Sequence, residues 1–187
     1  DTEHIEKSLV FAGFPARNGV TAAGLIQLGG TGVDDIMAGS DNFLLAFAPN
    51  AKPEGLTDKL GERFEVSRTN IKKWTVGSPI QAPLDGLDAI RKKRSFEAAD
   101  VRKLVVRLAS SDANTVNNRE MPDICMQHMC AVMLIDGMVT FESAHDNARM
   151  KDPRVLALRQ RVELIADDDM ERLRPEKHGM VELTLKD

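Results

Sequence analysis

Between Ile71 and Gln81 the chain reads Ile-Lys-Lys-Trp-Thr-Val-Gly-Ser-Pro-Ile-Gln. Two lysines lie on an extended-looking segment, Phe64 to Val76, which runs into a Gly77-Ser78 turn. A helix is predicted from Ser78 to Lys93, with Pro79 in its first turn. Ser78 is the natural N-cap, and Gln81, three residues on, completes a capping box. Free N–H groups at such a helix start favour an anion, and Lys72 or Lys73 adds a full charge. The chemistry would be capture of a carboxylate, with Lys73, Ser78 and Gln81 as binding groups. The same residues also describe a well-capped surface helix with solvated lysines, and most capping boxes hold no ligand.

His128 is the second candidate. No Asp, Glu, Lys or Arg stands between Asp123 and Asp136, so an ionisable imidazole within that apolar helix is conspicuous. It titrates near neutral pH and suits an acid or base; a neutral core histidine bonded to a backbone carbonyl is the competing account. His145-Asp146, with Arg149 close by, falls in a polar loop, Glu142 to Asp152, and is a weak signal. Cys125 and Cys130 lie five residues apart on the same helix, about 7.5 Å along its axis, too far apart for a disulfide. Cys-x4-Cys on one helix lacks zinc-knuckle geometry. The pair reads as core thiols in a reducing, cytoplasmic compartment. Near the start, Lys7 and Arg17 place two more cations beside a predicted helix.

The elements that must position these residues follow from periodicity. Residues 14–29 read as a helix with Pro15 in its first turn and Gly29-Gly30 at its end. Pro49, Pro53 and Gly55 mark a linker. Leu104, Val106 and Leu108 alternate with Lys103, Val105 and Arg107, a half-buried strand. Asp123 to Asp136 is apolar on nearly every face, hence a buried helix, and Gly137 stops it. Asp152 to Gln160 is a short helix running into a strand at Arg161 to Ile165, and Val181, Leu183 and Leu185 mark a final strand. The elements interleave without a strict βαβ rhythm, which predicts an α+β domain. Residues 1–50 form the end of a helical domain and 51–187 the α+β domain.

Composition excludes some partners. With 25 basic against 29 acidic residues the net charge is -4, a poor match to nucleic acid. The run Arg91-Lys92-Lys93-Arg94 sits at a helix C-terminus, where cations complement the dipole. No apolar run is expected to span a membrane. P-loop, dinucleotide and nucleophile-elbow patterns are absent.

Taken in order, these segments resemble the MmgE/PrpD family, C-terminal portion. Glu6-Lys7 followed by Gly13-Phe14-Pro15-Ala16-Arg17-Asn18-Gly19 is similar to the family's lysine and helix start, with one extra residue between them. Gly29 to Gly39 resembles its glycine loop. Lys72-Lys73-Trp74 through Gln81 and Leu84-Asp85, Ile124 through Asp136-Gly137, Asp152-Pro153-Arg154-Val155 and the ending Lys186-Asp187 resemble later motifs.

The resemblance implies an all-helical domain paired with a smaller α+β domain, with the active site between them. Family activities include dehydration of 2-methylcitrate, decarboxylation of cis-aconitate and epimerisation of iminodisuccinate, without metal or organic cofactor. It implies that Lys7 and Lys72 are the active-site lysines and that His128 stands where relatives often carry Tyr. Gln81 stands where dehydratases and the decarboxylase carry His, and the segment bearing the other active-site residues lies earlier than this chain. The expected function is therefore a metal-free lyase or isomerase for a small di- or tricarboxylate. Lys7, Lys72 and Arg17 would hold carboxylates and His128 would move the proton. The alternative is a non-catalytic fragment or subunit needing a partner chain. The chain opens at Asp1 without Met, so it is expected to be inactive alone and completed by a homodimer mate or a complementary chain.

Overall fold

The computed structural model describes residues 8–48 and 50–186. Contacts divide the chain into two units, one ending at Asn70 and one running from Ile71. In the first, a π-helical turn, Ser8–Gly13, runs into α1 (Phe14–Gln27). Pro15 occupies the first turn, where its missing N–H leaves nothing unpaired. Gly29 ends the helix at φ 94°, and the Gly30 N–H donates to Leu25 O at 2.9 Å. None of the α1 residues is buried. The π turn lengthens the stretch to Leu9–Gln27, 19 residues long and apolar enough by length and composition to cross a membrane. That corrects the expectation from sequence, which started the helix at Phe14 and so found no run of that length.

Asn42 caps α2 (Phe43–Phe47) by accepting the Leu45 N–H at 3.1 Å. Residues 51–70, expected to belong with the sheet domain, fall in this first unit. They form short 3-10 turns, Pro53–Leu56 and Glu65–Arg68. The extended segment expected from Phe64 begins instead as a turn. The Ser67 and Thr69 hydroxyls donate back to Phe64 O and Val66 O, the local bonding by which such side chains displace a strand.

The second unit is built on a three-stranded sheet, as an α+β fold requires. A 3-10 turn, Ser78–Ile80, leads into α3 (Gln81–Lys93). Then come β1 (Val101–Ala109), α4 (Ser110–Val116), α5 (Met126–Asp136), α6 (Phe141–His145) and α7 (Pro153–Arg159). The chain closes with β2 (Val162–Asp167), α8 (Asp168–Glu171) and β3 (Gly179–Leu185). The strand order is β2-β1-β3. β1 pairs with β2 in parallel, Leu104 opposite Val162, and with β3 antiparallel, Leu104 opposite Leu183. The parallel pair, joined through four helices, is a crossover that the strand spacing did not announce. Leu104, Val106 and Leu108 are buried, as their alternation predicts.

α5 is the centre of the core, packed on α3, α7 and β2. Every residue from Met126 to Leu134 is buried, which a helix without a charge can sustain. Gly137 ends it in the left-handed conformation at φ 78°, donating to Met133 O at 3.0 Å. The Cys125 and Cys130 thiols are buried and free. Burial drives the Cys130 thiol up to about 12, so it remains a protonated core group at neutral pH.

Candidate functional site

Residues 71–77 precede the first helix of the second unit and adopt neither strand nor helix. Their polar groups are paired by side chains instead. The Gln81 amide faces the backbone of Trp74: Oε1 accepts the Trp74 N–H at 3.1 Å, and Nε2 donates to Trp74 O at 2.7 Å. The same Nε2 lies 3.3 Å from Val76 O. That carbonyl also accepts from Lys72 Nζ at 2.9 Å. The Gly77 N–H donates to Asp123 O at 2.8 Å, tying the corner to the segment that leads into α5. A Cβ on Gly77 would come within 3.3 Å of Ile124 Cγ2, so the close approach suits glycine.

The expected capping box does not form. Gly77 is the cap of the 3-10 turn, no side chain bonds there, and Ser78 is exposed within the turn itself. The physical reason is competition: the Gln81 amide is taken by Trp74 and Val76.

Lys73 points to a different set of partners. Its Nζ donates to Asp85 at 3.0 Å and Asp88 at 2.8 Å, and stands 4.4 Å from the centre of the Trp74 ring. The Trp74 indole N–H donates to Asp85 at 3.0 Å. The Asp88 bond first, then Asp85, holds the Lys73 ammonium above its ordinary pKa. Lys73, then Lys92, holds Asp88 below the usual carboxylate range. Lys73 is thus neutralised by two carboxylates, whereas among the described residues Lys72 spends one donor on a carbonyl and keeps two. Sequence reasoning missed Asp85 and Asp88 as partners; their spacing on one face of α3 was the available signal.

His128 is fully buried, and neither ring nitrogen has a hydrogen-bond partner among the described residues. Its edge does not reach a cleft within this unit, against expectation, because α5 is enclosed on all sides. Burial, with smaller effects from Arg159 and Arg149, lowers its pKa from 6.5 to about 4. His145 is occupied locally: Nδ1 bonds Phe141 O at 2.7 Å and the ring stacks on Phe141. Asp146 accepts the Ala148 N–H at 2.9 Å, an ordinary turn. Arg17 belongs to the first unit, 5.1 Å from the Phe14 ring centre and bonded to Asn18. Lys7 lies outside the described residues.

A second polar cluster, unforeseen from the sequence, closes the C-terminal end of β1. Asp112 is buried, and both its oxygens accept from Lys177 Nζ, at 2.7 and 2.8 Å. Arg174 adds a contact at 3.3 Å, and Ser111 bonds Glu171. The network fastens the connection before β3 to α4. No group of three metal-ligating side chains occurs among the described residues.

A family model, the MmgE/PrpD C-terminal domain, matches residues 74–187. The match opens at Trp74, two residues after Lys72, and includes Gln81, His128 and the whole sheet. No curated protein matches the chain.

Proposed function

Since the chain belongs to the MmgE/PrpD family, a family of lyase- and isomerase-type enzymes, we propose that it acts on a small di- or tricarboxylate. The observation that carries the proposal is the Lys72 ammonium, exposed beside the start of α3 with two donors uncommitted among the described residues. An ammonium so held takes a carboxylate oxygen by charge-assisted hydrogen bonds. Removing a proton or carbon dioxide next to a carboxylate builds negative charge, which a fixed cation stabilises. Lys73, saturated by Asp85 and Asp88, contributes field rather than a direct contact. By resemblance, Lys7 is a further carboxylate-binding cation. His128, sealed in the core, supports α5 in this proposal and does not move the proton. A partner chain completes the site, and the unburied α1 supports that part of the reading.

Titration calorimetry with citrate tests the binding role of Lys72. Lys72→Met is expected to weaken citrate by roughly tenfold or more, the worth of one charge-assisted bond. Lys92→Met, which removes an exposed cation already paired with Asp88, is expected to leave affinity unchanged. Equal affinities for wild type and Lys72→Met would remove Lys72 from the site.

A further inference from the structure

We infer that Gln81 is a positioning residue for Lys72, not a substrate contact. The inference rests on the proposed role of Lys72 and goes beyond it. Lys72 lies on a segment that no helix or strand holds, and among the described residues its Nζ is fixed through one acceptor, Val76 O. Val76 is buried, and its carbonyl also receives Gln81 Nε2. Two residues earlier, the same amide pairs with both the N–H and the C=O of Trp74. One primary amide therefore does for residues 74–76 what a neighbouring strand does in a sheet.

The chemistry selects glutamine. A carboxylate could accept from Trp74 N–H but would face two carbonyls with no proton to give. An imidazole offers one donor and one acceptor on a rigid ring and cannot meet three backbone groups. The base of the clamp is firm: Gln81 follows the fully buried Ile80, Leu84 is buried one turn on, and Gly77 is bonded to Asp123. With both ends of its amide engaged, Gln81 acts on a ligand only through where it leaves the Lys72 ammonium.

Reductive methylation of the full chain with formaldehyde and borane, read residue by residue by mass spectrometry, tests this without any ligand. Gln81→Met keeps the length and removes donor and acceptor; Gln81→Ala removes the side chain. Lys72 is expected to be modified several-fold faster in both variants. Lys103, paired with Glu163 across the sheet, is expected to keep its wild-type rate. An unchanged Lys72 rate overturns the inference, and so does loss of cooperative unfolding in both variants, since a clamp confined to residues 72–76 touches only the edge of the core and leaves its centre around α5 intact. In a citrate cycle, Gln81→Met is expected to weaken binding in the wild-type background and not in the Lys72→Met background. Additive losses overturn the positioning role. If Lys72→Met alone leaves citrate binding unchanged, the proposed function fails while the methylation rates still decide the clamp.

Discussion

A buried imidazole makes folding depend on pH. The unfolded chain binds the His128 proton near pH 6.5 and the folded chain only near 4. Between those values unfolding takes up a proton, so stability is full above 6.5 and is lost as pH falls towards 4. Across the whole span the loss amounts to about 3 kcal/mol. Arg159 and Arg149 lower the imidazole pKa further, and Asp146 opposes them weakly. Urea unfolding at pH 7 and pH 4.5 is expected to show wild type losing more stability than His128→Phe, by about 2–3 kcal/mol; parallel losses would reject the effect. The imidazole was visible in the sequence as the one basic side chain in an apolar run, but its surroundings were not. Helical periodicity says which residues share a face, and α5 has no exposed face to distinguish. Lys72 and Lys73 were likewise visible as a pair. That Asp85 and Asp88 neutralise one and a carbonyl holds the other depends on contacts spanning 4 to 15 residues, from a non-periodic segment onto α3.

The elements were more legible than the contacts between them. The alternation of Leu104, Val106 and Leu108 and the uncharged run ahead of Gly137 placed β1 and α5, because burial imposes a period on the sequence. No such period records how β3 meets α3, and there the packing depends on glycine. A Cβ on Gly179 would lie 2.6 Å from Pro83 Cδ and 3.0 Å from Pro83 N, on a ring that cannot rotate away. A Cβ on Gly86 would lie 2.8 Å from Val181 Cγ2, on a side chain that can turn. Gly179→Ala is therefore expected to destabilise the second unit by about 1–3 kcal/mol, the cost of overpacking, and Gly86→Ala by less. Chemical denaturation of both variants checks the order; a Gly86→Ala loss equal to or above that of Gly179→Ala would contradict the rigid contact with Pro83. Asp112 shows the same limit. It lies in the first turn of a short helix that the sequence did not announce, and its partners Arg174 and Lys177 are some sixty residues away.

At the scale of the molecule, the two units differ in what they bury. The second encloses a continuous core from Trp74 to Val162 around α5. In the first, Val20, Leu25, Ile26 and Leu28 are 57–87% exposed, and none of the α1 residues is buried. Apolar side chains grouped along one helix favour association, since joining them removes apolar area from water. Residues 71–187 are accordingly expected to fold alone and sediment as a monomer at all concentrations. Residues 1–187 are expected to self-associate as concentration rises, or to pair with a complementary chain when one is supplied. The proposed chemistry shares this dependence: among the described residues of the second unit, Lys72 is the one proposed cation with donors left for a carboxylate. Sedimentation velocity on both lengths, with turnover of cis-aconitate measured on the same samples, tests the association and the chemistry together. The expected pattern is a monomeric shorter chain without turnover, and a longer chain that gains any turnover only in its associated form. A longer chain that stays monomeric and turns over cis-aconitate would refute the need for a partner, and the whole site would then have to be assembled from residues 1–187 of a single molecule.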